Sequence, residues 1–328
     1  MGRFIIQRLL LLPLLMVIFS VMIFAIVQAP PGDFLTSYAA TLASSGSSVS
    51  LEQLNALRVQ YGLDQPVYVQ YYRWMLSLLQ GDLGLSLEYQ RPNIELIGEQ
   101  LWLTLALAVF SFVLTWAIAI PAGIYSATHQ RSIPDYILTV FNYVGVATPN
   151  FMLALVLMWV AFSYFGLSVT GLFSADMAGQ PWSWLKFVDM MQHLWLPALV
   201  LAIAGTARLT RVMRANLLDE LNKPYVTTAR AKGLSEWRVV MRYPVRLAFN
   251  PLVSTIGWYL PQLFSGSLIV ATVMNLPNIG PLLLRALVNQ DMYLAGAILL
   301  IYCFLTIIGT LLSDILLALL DPRIRMGQ

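Results

Sequence analysis

The chain alternates long apolar runs with short polar segments. Crossing a bilayer takes roughly 20 consecutive apolar residues in helical form. The first run, residues 9–27, follows Arg3 and Arg8. It exceeds the roughly 7–15 apolar residues of a secretory signal and has no small-x-small cleavage site after it, so it reads as a membrane anchor. The second run is 101–128. A third starts at Tyr136 and stays uncharged to Ala175. One span cannot use all of it, so the helix is expected to end near Phe165, with Pro149 bending it on the way. Residues 194–207 open a fourth run, 252–273 form a fifth and 293–312 a sixth. The pattern predicts an all-α polytopic membrane protein with six transmembrane helices.

Composition agrees: 59% of residues are hydrophobic and 11% charged, against about 25% charged in soluble domains. The distribution of charge says more than its net value of +3. With both termini inside, only Arg58, Arg73, Arg91, Lys186 and Arg285 of the 19 Lys and Arg fall outside. That is the positive-inside asymmetry, and it makes nucleic acid an unneeded explanation of the basic balance. The expected organisation is an anchor helix at 1–28, an external loop at 29–98 and a five-helix core at 99–321. That core carries a cytoplasmic loop at 215–247, and a cytoplasmic tail follows at 322–328. In the external loop, 51–61 has helical periodicity with Ser50 as a cap, and Gly81-Asp82-Leu83-Gly84 is a turn cluster. A small ordered cap is expected there. Cys303 is the one cysteine, so no intrachain disulfide is available.

Several chemistries have no residues to carry them. No G-x-x-x-x-G-K-[ST] loop occurs, so the chain is not itself a P-loop ATPase. His129 and His193 are isolated and outside any H-E-x-x-H pattern, so no metal site is expected. Spans two, three and five lack the acidic or histidine residues that ion-coupled carriers place in the membrane, and Asp314 comes late in span six.

The polar exception is YVTTARAKGLSEWRVVMRYPVRLAFNP at 225–251. Gly233 suits a positive-φ turn, and Ser235 suits the N-cap of a second helix from Glu236. Ala229 and Gly233 would let a partner approach the backbone. Leu234 and Trp237 would form an apolar knob, with Arg230, Lys232, Arg238 and Arg242 around it. A loop lying on anionic lipid is the competing reading.

This segment resembles the coupling-loop signature of ATP-binding-cassette (ABC) importer permeases, with Thr227, Thr228 and Ala229 at the positions of that family's Glu-Ala-Ala triplet. The Thr228-Ala229-Arg230-Ala231-Lys232-Gly233-Leu234 form is similar to the oligopeptide, dipeptide and nickel branch. So are Gly81-Asp82-Leu83-Gly84-x-Ser86, Asn278-Ile279-Gly280-Pro281-Leu282-Leu283 and Ala318-Leu319-Leu320-Asp321-Pro322-Arg323-Ile324-Arg325. Tyr243, Pro244, Val245 and Arg246 depart from the late Ile-x-Leu-Pro positions, and Phe34 stands where many relatives have proline.

The resemblance implies a type I importer permease fold with a cytoplasmic coupling helix, in a bacterial or archaeal inner membrane. Thr228, Ala229, Gly233, Leu234, Ser235, Trp237 and Arg238 would then meet an ATPase. It also implies a second homologous permease, two P-loop ATPases that bind ATP and Mg, and an external substrate-binding protein. No cofactor is expected in this chain. Short peptides are the expected cargo, with oligosaccharides or a nickel chelate as alternatives and an ion-coupled carrier as a different class.

Residues for a pathway are sought where helices are interrupted or polar. Pro149 and Asn150 in span three, and Gln262 and Ser265 in span five, are the candidates. Gly123, Gly145 and Ala147 suit close helix packing. Arg208, Arg211 and Arg214 recur every third residue and are expected near one helix face, as an inner gate or a headgroup anchor.

Overall fold

The computed structural model describes residues 2–44, 51–167, 169–174, 176, 177 and 179–320. In chain order the helices are α1 (Gly2–Gln28), α2 (Phe34–Ser44), α3 (Leu51–Gln60), α4 (Val67–Leu79), α5 (Asn93–Thr128), α6 (Ile133–Ala147) and α7 (Asn150–Phe165). They continue as α8 (Trp184–Leu221), α9 (Pro224–Ala231), α10 (Glu236–Arg242), α11 (Pro244–Ser254), α12 (Ile256–Val273), α13 (Ile279–Val288) and α14 (Met292–Leu320). Among the described residues, α1, α5, α8 and α14 are each long and apolar enough to span a membrane, and α6 with α7 adds a fifth candidate. The fifth span expected from sequence is divided at Thr255 between the end of α11 and α12. Ser50, expected to cap α3, and residues 321–328, which include the second half of the C-terminal motif, lie outside the described residues.

The third span is not a kinked rod. Its helices diverge by 111° at Thr148-Pro149. A proline restricts the residue before it to extended backbone, and Thr148 adopts φ −90°, ψ 125°. Pro149 then stands at the N-cap of α7, where its missing N–H costs nothing. The sequence placed the proline inside one helix; the structure places it between two. Other boundaries are equally local. Ser132 and Ser183 accept N–H bonds from Asp135 and Lys186 to start α6 and α8, and Gly166 at φ +63° ends α7.

The chain forms two compact units. In the one holding Thr104–Pro277 and the end of α14, Ala119, Leu209, Met213, Leu217, Val240 and Leu252 share a buried core. Small residues set the helix spacing. A Cβ at Gly123 would come within 2.7 Å of Met213, and one at Gly145 within 3.1 Å of Ile203. Ala147 is exposed instead. Asp135 is buried at the start of α6, where it accepts from the Arg131 backbone N–H at 3.0 Å and from Arg214 at 3.2 Å.

The other unit holds Ile6–Leu103 and Asn278–Leu305. Two of the sequence motifs meet here, Leu83 of the first packing against a core that holds Ile279, Leu282 and Leu283 of the second. The hydroxyl of Ser86, in the Gly81–Ser86 motif, donates to Asp291 at 2.5 Å, just after the helix capped by Asn278. Asp291 is fully buried, accepts a further N–H from Glu88 and caps α14 through the Leu294 N–H. Asn93 ties down the same turn by donating to the carbonyls of Gly84 and Leu83.

Candidate docking loop and translocation cleft

The loop following α8 folds into two short helices held by a miniature core. Val226, Ala229 and Val239 are buried against one another, and Tyr225 and Leu234 pack beside them. Gly233 makes the turn between α9 and α10 at φ +76°, and its N–H donates to the Arg230 carbonyl at 2.9 Å. A Cβ there would meet no atom within 4 Å, so a substitution is opposed by backbone strain alone. Ser235 occupies the N-cap position of α10, as expected, but its hydroxyl makes no capping bond. The two helices are clasped instead by Arg230 and Glu236. The guanidinium donates through Nε at 3.1 Å and Nη2 at 2.6 Å to the two carboxylate oxygens. This two-pronged bond holds Glu236 below the usual carboxylate range. At the foot of the loop the Tyr225 hydroxyl donates to Glu220 at 2.6 Å; burial first, and then Glu220, raise its pKa.

The candidate residues of this loop fall on two sides. Thr228, Gly233, Ser235, Trp237 and Arg238 are exposed, with the Trp237 side chain 70% exposed. Ala229 points inward at 6% exposure and Leu234 is half-buried. The small side chain of Ala229 therefore lets α9 approach α10 and does not open the backbone to a partner. The apolar knob is Trp237 alone. Arg230, expected in its basic rim, has its charge matched by Glu236.

A cleft of about 380 Å³ lies among α5, α7, α8, α11 and α12. Thr115 and Trp116 line it from α5 and Asn150 from the start of α7. Leu201, Gly205, Arg208 and Val212 come from α8, Ser254 from α11, and Tyr259 and Gly266 from α12. The Thr115 and Tyr259 hydroxyls are bonded at 3.0 Å. A Cβ at Gly205 would press on both, at 3.1 Å from Thr115 and 3.4 Å from the Tyr259 oxygen. Arg208 is the charged residue of the lining.

Of the residues singled out from sequence, Asn150 and Arg208 meet at this cleft. Pro149 acts one step back, by starting the helix that presents Asn150. The side chains of Gln262 and Ser265 lie outside the described ones, although the backbone of both belongs to α12. The three arginines of α8 do not form one collar. Arg211 lies over the Tyr143 ring at 5.6 Å, Arg214 pairs with Asp135, and only Arg208 lines the cleft. Thr115, Trp116, Gly205 and Tyr259 were missed. Hydroxyls within apolar runs were the available signal for Thr115 and Tyr259; nothing local marked Trp116 or Gly205.

Residues 119–326 match the family described as the binding-protein-dependent transport system inner membrane component, and residues 1–94 match its N-terminal membrane component. The chain belongs to this family. The permease is similar over 326 residues, 99% of both chains, to the oligopeptide transport system permease protein AppB of Bacillus subtilis (strain 168), at 36% identity. It is 33% identical to a putative peptide permease protein of Brucella ovis, over 99% of this chain and 100% of that one. It is 34% identical to the glutathione transport system permease protein GsiC of an Escherichia coli O6:H1 strain, over 99% of each chain. This protein is thus a multi-pass plasma-membrane permease subunit of an ABC importer, and not itself an enzyme.

Proposed function

We propose that this permease forms half of the pathway through which an importer admits short peptides delivered by an external binding protein. A second homologous permease supplies the other half, and two P-loop ATPases holding ATP and Mg drive the cycle. The reading has both termini and residues 215–247 in the cytoplasm. It has residues 29–98 on the outer side and turns Pro30–Asp33 and Asn275–Asp291 towards the binding protein. Relatives named for oligopeptides, peptides and glutathione favour peptides over oligosaccharides or nickel chelates. Thr115, Asn150 and Tyr259 are hydroxyl and amide groups suited to a peptide backbone, and Arg208 to a carboxylate.

The observation that carries the coupling role is α8. One unbroken helix of 38 residues carries Leu201, Gly205, Arg208 and Val212 of the cleft and ends at Leu221, three residues before α9 begins at Pro224. At about 1.5 Å per residue it is roughly 57 Å long, well beyond the hydrocarbon thickness of about 30 Å. A push on the docking loop is delivered to the cleft wall through this rod. In the proposed cycle ATP binding closes the ATPase pair, the pair moves α9 and α10, and α8 turns the cleft outward.

Gly233→Asp tests the coupling. A forced positive φ costs a non-glycine residue about 1–2 kcal/mol, and the new side chain occupies the face offered to the ATPase. The variant is expected to insert normally, yet to lose peptide uptake and peptide-stimulated ATP hydrolysis in vesicles holding the whole transporter. Normal uptake with the ATPases bound would remove the loop from this role.

A further inference from the structure

We propose that α4 is a lipid-contacting helix sunk beside the ends of two membrane spans, its stripe of Tyr68, Tyr72, Leu76 and Leu79 facing the acyl chains and headgroup boundary of the bilayer. The inference rests on α1 and α14 being membrane helices and is independent of the cargo and of the docking loop. By sequence α4 belongs to the polar loop between the first two spans, where an aqueous cap is the default expectation.

The first observation is depth. The Tyr71 hydroxyl bonds Ser20 of α1 at 2.9 Å, and its ring meets Phe24 edge-on at 5.4 Å. Ser20 lies two helical turns inside the end of α1 at Gln28, or roughly 12 Å at about 1.5 Å per residue. Trp74 packs on Phe24 and fills the space left by Gly296, where a Cβ would come within 2.9 Å of its ring. Leu300, two turns inside α14, belongs to the same buried cluster as Trp74. One face of α4 is therefore anchored below the ends of both spans.

The second observation is what the other faces carry. Residues 68, 72, 76 and 79 recur at helical spacing along one side of α4. There they leave Tyr68 75%, Tyr72 63%, Leu76 39% and Leu79 77% exposed. Together with the buried face this makes most of the circumference apolar or aromatic. Arg73, the charged residue of the helix, lies exposed on the remaining arc with Ser77, next to the buried Gln70, which accepts from Gln28 of α1 at 3.0 Å. A wide apolar arc, a narrow polar one and tyrosines near the boundary describe a helix lying in a membrane interface.

The third is continuity. The apolar window of α1 is only 17% buried, and Val17, Val21 and Met22, neighbours of Ser20, are each about half exposed. In a multi-pass protein such positions on a spanning helix face lipid. The anchored face of α4 meets α1 at Ser20 and Phe24, level with that surface.

The test is site-directed spin labelling in the assembled transporter in lipid nanodiscs. Cys303→Ser provides the background, and single cysteines replace Tyr68, Tyr72, Leu76, Leu79 and Arg73, with Val21→Cys as the reference for lipid. At the four stripe positions relaxation by oxygen should exceed relaxation by a water-soluble nickel chelate, as at Val21→Cys. The order should reverse at Arg73→Cys. Nickel access at the stripe equal to that at Arg73→Cys would overturn the proposal in favour of an aqueous cap. Poor access to both reagents would overturn it in favour of a protein partner, either the second permease or the binding protein.

Discussion

At Asp135 a carboxylate at 3% exposure depends on one arginine for its neutralising charge and on the Arg131 N–H for a second bond. Removing one member of a buried pair leaves the other charge stranded, which costs about 3–5 kcal/mol when both are buried. Arg214 keeps 36% of its side chain exposed, so Arg214→Ala should fall below that range, at about 1–3 kcal/mol, the cost of leaving a buried polar group without its partner. Arg211, exposed and held over Tyr143, is a cation–π contact worth about 0.5–1 kcal/mol. Thermal unfolding of the purified permease in detergent should therefore separate Arg214→Ala sharply from Arg211→Ala. Asp135→Asn combined with Arg214→Ala should cost less than the sum of the single changes, because each removes the other's stranded charge. Equal small effects of the two arginine substitutions would show that the Asp135 pair contributes nothing. The exposed Arg230–Glu236 clasp is a weaker case, worth about 0–1 kcal/mol despite its short bonds. Its role is to fix the angle between α9 and α10.

Between elements, the buried Asp291 joins the turn at Gly81–Ser86 to the start of α14. Burial raises its carboxyl above the ordinary 3.8, outweighing the bonds from Ser86, Glu88, Leu294 and Leu87 that would lower it. An acid so raised holds its proton more tightly in the folded chain than in the unfolded one. Its stabilising contribution is complete below the unfolded value and is lost as pH rises through the folded value. Acidification from about pH 7 towards about pH 4 should therefore strengthen this junction. Asp291→Asn keeps an acceptor for the Leu294 N–H and cannot titrate. Melting temperatures over that range should show the wild-type gain flattened in the variant. Identical pH profiles would exclude Asp291 as the group responsible. The break between α6 and α7 belongs to the same scale. Each helix is too short to cross the bilayer alone, at 15 and 16 residues, or roughly 22–24 Å against about 30 Å. The Thr148-Pro149 corner is what carries Asn150 to the cleft.

Across the whole molecule, α8 carries the proposed coupling, and its continuity is testable without touching either end. Two glycines inserted after the exposed Ala215 lie between the cleft residues and the docking loop. Glycine weakens a helix interior by about 1 kcal/mol per residue, and two extra positions rotate the distal part out of register. The insertion should leave the protein in the membrane with its ATPases bound, while uptake is lost and ATP hydrolysis no longer responds to peptide. Uptake at the wild-type rate would mean that the push travels by another route.

Much of this was written in local patterns. Apolar runs announced the membrane class and the places of the long helices α1, α5, α8 and α14, because a helix in hydrocarbon must be apolar over a fixed length. The turn at Gly233, the start of α10 at Glu236 and the interruption at Pro149 were legible for a similar reason, since one residue's backbone preference sets each. The family resemblance likewise rested on short ordered motifs. Other features depend on which distant side chain arrives opposite, and no periodicity encodes that. Three arginines at equal spacing looked alike, yet Arg208 faces a cleft, Arg211 an aromatic ring and Arg214 a carboxylate. Ala229 looked like an open approach for a partner until Val239 was found against it. Ser86 belongs to one of the motifs and Asp291 to none of them, and the two meet only when α14 starts beside the turn. The cleft draws on five helices, and packing alone sets its shape and the depth at which α4 rests.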